Sequence, residues 1–339
     1  MKVKKFILIL FVLILTISVS GCKRSGLKKL FSKEEPMEII RSDDEEKIDL
    51  TEEGDELRKT ILYFQNSKGL LVPMMRKIPW EEGIANSAIN NMIDNPALQE
   101  NLASTGLSPI IPAGTEIKGI TIDEDTGLCK IDFTGEVLNY ETEKEEENLI
   151  NGVVYTLTEF PAINEVQVMI DGGVVPTLKH GTEVGEPLKR ENINLLGNLE
   201  NAKSRIVVYF KGMENNEFEY FVPVTIPTIA PIPNVFTALE ELFDGPPEDM
   251  GLDTAIPDGV NLEGVEVKEG TAYVDIYTGS IDILKEESVL TGMIKNIGIT
   301  LSQFDEIEKV EILIDGKDLE KIGIDYDYDM AIPVFANEY

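Results

Sequence analysis

Hydrophobic and polar positions pass through the same series of patterns twice along this chain, at offsets of 143 to 150 residues. Each half opens with β-branched and aromatic residues that predict a strand, at 60–64 and at 206–210. An apolar stripe at helical spacing follows: Ile84, Ala88, Ile89, Met92 and Ile93 in one half, Val235, Leu239, Leu242 and Phe243 in the other. A repeat of this length is the size of a domain and indicates a tandem duplication.

The remaining elements also recur in both halves. Alternating residues around a turn predict a hairpin, at 115–122 with 128–133 and at 261–267 with 271–276. A second helical stripe contains Leu149, Val153, Leu157 and Phe160, and then Val289, Met293, Ile297, Leu301 and Phe304. A closing strand, at 166–170 or 310–314, leads into an Asp-Gly turn. The order β-α-β-β-α-β predicts two tandem α+β domains, each with two helices on one face of a mostly antiparallel sheet.

The limits of these units follow from the same patterns. We place the first domain at 58–182, a connector at 183–202, and the second domain with its C-terminal tail at 203–339. Asn234 is positioned to cap the first helix of the second domain, and Pro96 is expected to stop its counterpart. The connector contains apolar residues around Ile193 that are compatible with a short docked helix. Each domain is long enough to fold alone.

The first 21 residues have the layout of a signal peptide. Three lysines precede the uncharged run 6–21, which is shorter than the roughly 20 residues of a membrane span. Val19-Ser20-Gly21-Cys22 resembles the bacterial lipobox, in which the cysteine becomes the diacylglycerol-modified first residue of the mature protein. We therefore expect Cys22 to hold the protein on the extracytoplasmic face of the cell membrane. The alternative is an ordinary secreted protein in which Cys22 is incidental.

Residues 22–57 carry no sustained apolar period, only a basic start and then a strongly acidic stretch. Such a segment cannot bury enough surface to fold, and it predicts a flexible arm.

The mature chain has 27 basic and 62 acidic residues, a net charge of −35. This charge excludes nucleic acid as an expected partner, because that partner requires clustered cations. The acids favour solubility outside the cell, and an acidic surface for a basic partner is the alternative.

Candidate catalytic and metal-binding residues are few. His180 is the single histidine, and its place in Lys179-His180-Gly181 is typical of a solvated loop. Asp132 and Asp275 are aligned acids of the middle strands, but each copy offers one where sugar chemistry needs a close pair. Asp325, Asp327 and Asp329 alternate like EF-hand ligands, yet Met330 and Ala336 replace the glycine and glutamate of that loop. No phosphate-binding glycine motif is present, so we expect no cofactor, no metal and no catalysis.

Both halves resemble the GerM (germane) domain in the same ordered set of motifs. The set includes a Tyr-Phe opening strand, Val72-Pro73 with Val222-Pro223, Asp94-Asn95-Pro96 with Asp244-Gly245-Pro246, and a helix with Tyr155-Thr156-Leu157-Thr158-Glu159-Phe160. The second copy departs to Ile299-Thr300-Leu301-Ser302-Gln303-Phe304. The resemblance implies a sporulation and germination lipoprotein of a Gram-positive, endospore-forming bacterium, with tandem domains of the ring-building type. It also implies association with the channel between mother cell and forespore, and it supplies no catalytic residues.

Two functions from different classes remain open at this stage. The first is a non-catalytic assembly module of a sporulation or germination envelope complex, bound to the membrane through the lipid on Cys22 and to unidentified protein partners. The second is an envelope lipoprotein that senses or captures cell-wall fragments in a cleft between the two copies.

Overall fold

The computed structural model describes residues 57–79, 83–214 and 218–339. The first copy contains β1 (Leu57–Gln65), β2 (Leu71–Pro79), α1 (Ile84–Asn90), α2 (Pro96–Leu102), β3 (Ile117–Asp123), β4 (Leu128–Phe133), α3 (Glu143–Leu157) and β5 (Glu165–Ile170). The second contains β6 (Ser204–Glu214), β7 (Phe218–Thr228), α4 (Val235–Asp244), β8 (Val260–Lys268), β9 (Thr271–Thr278), α5 (Glu287–Leu301), β10 (Lys309–Ile314) and β11 (Lys317–Asp318). The predicted α+β class and the predicted structural repeat are confirmed.

The strands of each copy form two separate sheets. In the first copy β1 pairs with β2 as an antiparallel hairpin, while β4 lies between antiparallel β3 and parallel β5. The second copy repeats this with β6 and β7 and with the order β11-β10-β9-β8. A parallel pair needs a crossover connection, which α3 and α5 provide between β4 and β5 and between β9 and β10.

Strands β2 and β7 are absent from the predicted order, because both contain prolines that sequence reasoning treats as strand breakers. Pro73 lies opposite Tyr63 of β1, and Pro223 lies opposite Tyr209 of β6. The carbonyl groups of both prolines accept hydrogen bonds from outside their hairpins. A strand residue directs its N–H and C=O to the same edge, so each missing N–H faces the outer edge and removes no bond from the hairpin.

The first helix of the first copy is shorter than its apolar stripe predicts, because Met92 and Ile93 lie after its end, and a second short helix follows. Helix α1 ends at Asn90, and Pro96 begins α2 instead of only stopping the helix before it. Proline is favoured at a first helical position because the amide there has no intrahelical partner, and Asn95 caps α2 by accepting from the amide of Leu98. The predicted cap of α4 is confirmed, since Asn234 Oδ1 accepts from the amide of Thr237 at 2.9 Å.

The core of each copy contains the apolar faces that the two periodicities predict. Alternate residues of β4 and β9 are fully buried, and they meet the buried faces of α3 and α5. The buried residues of both copies belong to one continuous cluster. The two copies therefore pack on each other as well as sharing a chain.

The connector between the copies is extended, so its interpretation as a short helix is wrong. Leu188 pairs with Val166 of β5, which attaches the first part of the connector to the first copy. Further along, the amide of Leu196 donates to Thr225 of β7, whose own amide donates to Ile193. The second part of the connector therefore lies along the edge of the second copy's hairpin.

Candidate functional site: the junction between the two copies

Of the two cysteines, the structure describes Cys129 but not Cys22. Cys22 and nearly all of the predicted arm lie outside the described residues, so the lipid anchor stays a prediction. Cys129 is fully buried in β4, and this burial raises the pKa of its thiol to about 12. Within the part of the chain that is described, no helix is long and apolar enough to cross a bilayer.

The exposed loop around His180 is held in place by a buried carboxylate, Glu146 of α3. Glu146 accepts from the Tyr140 hydroxyl at 2.6 Å and from the backbone amides of His180 and Thr182 at 2.8 and 2.9 Å. The imidazole of His180 lies 5.9 Å from the Tyr140 ring, centroid to centroid. His180 therefore contributes its backbone to this arrangement, and its place in a loop agrees with the sequence interpretation.

Burial alone would raise the pKa of Glu146, but the three hydrogen bonds outweigh it and lower the pKa to about 2. Because the folded pKa lies below the usual value of 4.5, the stabilisation is present above pH 4.5 and is lost as the pH falls towards 2. The aligned residue of the second copy is Leu290, so this anchor belongs to the first copy only.

Replacing Glu146 with glutamine should lower the free energy of unfolding by about 2 kcal/mol at pH 7, because the amide cannot accept all three bonds. The difference from wild type should shrink as the pH falls from 4.5 towards 2 in urea titrations. Glu143→Gln, at an exposed position of the same helix, should change stability by less than about 0.5 kcal/mol. An equal loss at every pH would contradict the assignment.

The aligned acids Asp132 and Asp275 have the same structural role in both copies. Asp132 Oδ1 accepts from the amide of Gly172 at 2.9 Å, and Asp275 Oδ1 accepts from the amide of Gly316 at 3.0 Å. Each glycine belongs to the Asp-Gly turn that follows the last parallel strand. These carboxylates therefore fix a turn to the neighbouring strand in both copies.

The alternating acids of the tail do not converge on one point. Asp327 accepts from the amide of Asp329 at 3.0 Å, a local turn at the start of a short 3₁₀ helix (Tyr328–Met330). Among the described residues, no group of three or more histidine, cysteine or acidic side chains could hold a metal ion. Asp325, Asp327 and Asp329 therefore form no such group in the described part of the chain.

A buried polar arrangement joins the outer edges of β2 and β7. Asn194 of the connector accepts from the amide of Leu71 at 2.8 Å and donates to the carbonyls of Leu71 and Pro223 at 2.8 and 2.7 Å. It has a φ of 48°, a left-handed conformation that asparagine adopts more readily than most residues. The side chain is buried, so these bonds replace contacts with water.

Asn337 of the C-terminal tail makes the same set of bonds with the two copies exchanged. It accepts from the amide of Phe221 at 2.6 Å and donates to the carbonyls of Phe221 and Pro73 at 2.8 and 2.7 Å. Leu71 aligns with Phe221 and Pro73 with Pro223, each at an offset of 150 residues. We call the two asparagines and the two strand edges the asparagine junction; its bonds follow a pseudo-twofold pattern.

The segment that follows each copy pairs with a strand of the other copy. After the first copy, the connector pairs with Thr225 of β7 in the second copy. After the second copy, the tail pairs with β2 of the first: the amide of Met75 donates to Asn337 at 2.8 Å, and the amide of Tyr339 donates to Met75 at 3.2 Å. Each copy thereby adds an extended segment to the hairpin edge of the other, which pairs backbone groups that an open edge would leave free.

Side chains beside the asparagine junction extend it. The Tyr339 hydroxyl donates to the carbonyl of Asn101 at the end of α2, and its ring meets Phe218 of β7 edge to face at 5.4 Å between centroids. At the connector, Arg190 pairs with Glu159 at 2.5 Å, and Glu159 also accepts from the Tyr63 hydroxyl at 3.0 Å. The tail and the connector are thus attached by side chains as well as by backbone.

The asparagine junction lies between the copies, the region in which the sequence alternative places a ligand cleft. Asn194 and Asn337 were not recognised from the sequence as site residues. Their offset of 143 residues falls within the range of the repeat, which is the signal in the sequence that relates them. Nothing in the sequence shows that each asparagine contacts the opposite copy, because these contacts span 29 to 264 residues.

Comparison with known proteins places the chain beside sporulation proteins. The family model described as Germane, sporulation and spore germination, matches residues 61–175 and 207–320. The chain is 28% identical over 284 residues to the spore germination protein GerM of Bacillus subtilis (strain 168), covering 79% of this chain and 75% of that protein. The solved structure of the tandem GerMN domains of that organism's sporulation protein GerM matches with a TM-score of 0.64 and 26% identity, covering 77% of this chain and 92% of that one.

Proposed function

This chain belongs to the Germane family of sporulation and spore germination proteins, and from that premise we propose that it is a non-catalytic, membrane-anchored assembly module of a sporulation or germination envelope complex. The complex in this proposal is of the type that connects mother cell and forespore. The protein presents two related domains to its partners and performs no chemical step on them.

The asparagine junction is the observation that carries this proposal. Tight attachment of two copies is what a module needs if partners are to meet two related surfaces in a fixed arrangement. Asn194 and Asn337 provide it with buried hydrogen bonds between the strand edges, where an enzyme of two domains commonly has a cleft for substrate.

The residues that sequence reasoning nominated for chemistry support the non-catalytic part of the proposal. Asp132 and Asp275 are engaged by the turns beside them, and the loop of His180 is tied to Glu146 through its backbone amide. Perturbed carboxylates are a common mark of active sites, but the lowered pKa of Glu146 follows from bonds that hold a loop.

The proposed anchor and arm set where the module works. A lipid on Cys22 would fix the chain to the outer face of the membrane, and the basic residues after it would rest on anionic headgroups. A flexible arm of residues 22–57 would span roughly 30 Å, and its acidic part would be repelled from the same surface. The folded pair of domains is thereby displayed above the membrane.

Replacing Cys22 with alanine should move the protein from the membrane fraction to the soluble fraction, because the acyl chains and not the acidic body hold it there. The measurement is fractionation of sporulating cells followed by immunoblotting. Cys129→Ala is the matched control: it removes the other cysteine, which is buried in β4, and should leave the protein on the membrane. Quantitative membrane retention of the Cys22→Ala protein after a high-salt wash would refute the anchor.

The assembly role is tested by comparing partners with cell-wall ligands. Crosslinking in sporulating cells should recover the wild-type chain with channel components, and the same components should be lost with Cys22→Ala. Soluble muropeptides should show no saturable binding by titration calorimetry. Saturable muropeptide binding together with no crosslinked channel component would overturn the assembly role in favour of ligand capture.

A further inference from the structure

The outer face of the second copy's four-stranded sheet contains an open groove of about 550 Å³. Its floor includes the half-buried side chains of Tyr273, Asp275 and Leu313. Its rim carries acids from two strands, Glu263 and Glu266 of β8 and Asp318 of β11, together with Lys268 at the end of β8. A groove with two apolar side chains in its floor and acids around them fits a ligand that has aliphatic stems and cationic ends.

The first copy shows which group belongs at this rim. The pairing of β3 with β4 shifts between Ile117 and Gly119, and the bulged residue is Lys118. Its ammonium lies 3.1 Å from Asp171, in the Asp-Gly turn after β5. In the first copy a lysine of the chain itself therefore neutralises the acid of this turn.

The second copy repeats the bulge but reverses the charge. The pairing of β8 with β9 shifts between Leu262 and Gly264, which places Glu263 where the first copy has Lys118. The turn acid is kept, as Asp315. The second copy therefore has two acids where the first copy has an ion pair.

Neighbouring positions on the outer face of the sheet increase the difference in charge between the two copies. Register relates Thr121 of the first copy to Glu266, and Lys130 to Tyr273. The face that carries two lysines in one copy thus carries glutamates and an aromatic ring in the other.

Glu263 has no cation of its own within the described chain. Glu266 pairs with Lys268 at 2.6 Å, and Asp318 pairs with Lys321. Neither Glu263 nor Asp315 forms an ion pair with any residue that the structure describes. Lys268, the cation in the lining of the groove, pairs with Glu266 and leaves Glu263 without a counterion from the described chain. A side chain from another molecule can supply that charge.

We propose that this groove binds an extended basic segment of a partner protein. A lysine or arginine of the segment lies against Glu263, as Lys118 lies against Asp171, and its stem packs on the ring of Tyr273 in the neighbouring strand. Strand β8 is an edge of its sheet, so its outward backbone groups are available to pair with the segment. An anionic membrane is disfavoured as the occupant by the same acids.

This inference rests on the proposed assembly role, because it names the chemistry of a partner. Its test is a binding measurement in solution, so a negative result leaves membrane anchoring and complex formation untouched. Conversely, if crosslinking in cells recovered no channel component, a positive result for peptide binding in solution would still support the groove as a docking site.

The probe is a fluorescent peptide of alternating lysine and valine, titrated at 0.15 M salt into the mature chain, residues 22–339, made soluble by Cys22→Ala. The peptide should bind saturably and slow hydrogen exchange in β8. A peptide with glutamate in place of lysine should not bind. Glu263→Lys, which installs the first copy's residue, should weaken binding at least tenfold without changing the melting temperature.

The matched control is Glu240→Lys, an equal change of charge at an exposed position of α4. It should leave the affinity within twofold of wild type. Absence of saturable binding, wild-type affinity in Glu263→Lys, or equal weakening by both substitutions would overturn the groove as the docking site. In the last case, non-specific attraction to an acidic protein would account for the binding.

Discussion

Alanine in place of Asn194 or of Asn337 should lower the free energy of unfolding by about 3 kcal/mol, more than most single substitutions in this protein. Each side chain is buried and makes three hydrogen bonds to strand edges of both copies. Alanine supplies none of these bonds and leaves the backbone groups of β2 and β7 without water or a partner. Chemical denaturation followed by circular dichroism measures the loss.

Two further variants make this prediction specific to the asparagine junction. Asn198→Ala, at an exposed position of the same connector, should change stability by less than about 0.5 kcal/mol. The double variant Asn194→Ala with Asn337→Ala should lose less than the sum of the single losses, because either change weakens the same contact between β2 and β7. Losses that add fully, or single losses no larger than that of Asn198→Ala, would show that the two asparagines do not form one junction.

Alanine at Gly298 of α5 should cost about 3 kcal/mol, although alanine is the better helix former. A Cβ atom at this position would lie 1.7 Å from the carbonyl oxygen of Ala331 and 2.7 Å from its carbonyl carbon. Both atoms belong to backbone, so the tail that leads to Asn337 has to move away from the helix. The substitution should therefore weaken the asparagine junction as well as the packing of the second copy.

Gly292 of the same helix is a matched control. Its added Cβ would meet only Ala255, at 4.0 Å, which is ordinary contact. Gly292→Ala should therefore stabilise the protein by about 0.5 to 1 kcal/mol through helix propensity alone. Thermal unfolding of the two variants side by side gives opposite signs if the tail lies on Gly298. A gain in both variants would mean that the tail is not packed there.

Several features of the fold follow from sequence patterns that report local physics. Helical stripes such as Leu149, Val153 and Leu157 predict α3, because apolar spacing of three and four residues selects one helix face. The cap of α4 at Asn234 follows from a bond to an amide three residues away. Each of these interactions lies within a few residues along the chain, so a single sequence contains the information.

Strands β2 and β7 show where local reasoning stops. When only their own segments are considered, Pro73 and Pro223 argue against a strand, because proline has no N–H group to donate to a neighbouring strand. They are tolerated because the edge on which each lacks an N–H faces the other copy, and an asparagine amide donates to each carbonyl there. Which edge a proline faces depends on register and on the neighbouring domain, and neither is written in the local pattern.

Glu146 and Leu290 show that a local pattern does not reveal the surroundings of a single side chain. The two residues are aligned in the repeat and equally buried, yet one is a carboxylate bonded to a loop and the other is apolar. A glutamate in a helix with many exposed acids carries no sign that it is enclosed. Its burial depends on the loop around His180, which returns to α3 after 34 residues.

The sequence by itself determined the duplication, the α+β class, the helix faces and the likeness to sporulation proteins, since all of these depend on residue order and short-range periodicity. Tertiary structure alone decided that the connector pairs with the second copy and the tail with the first. It also decided that Asn194 and Asn337 join the edges of β2 and β7. The reason is physical: a buried amide is stable only where other backbone groups satisfy it, and here those groups come from segments up to 264 residues away.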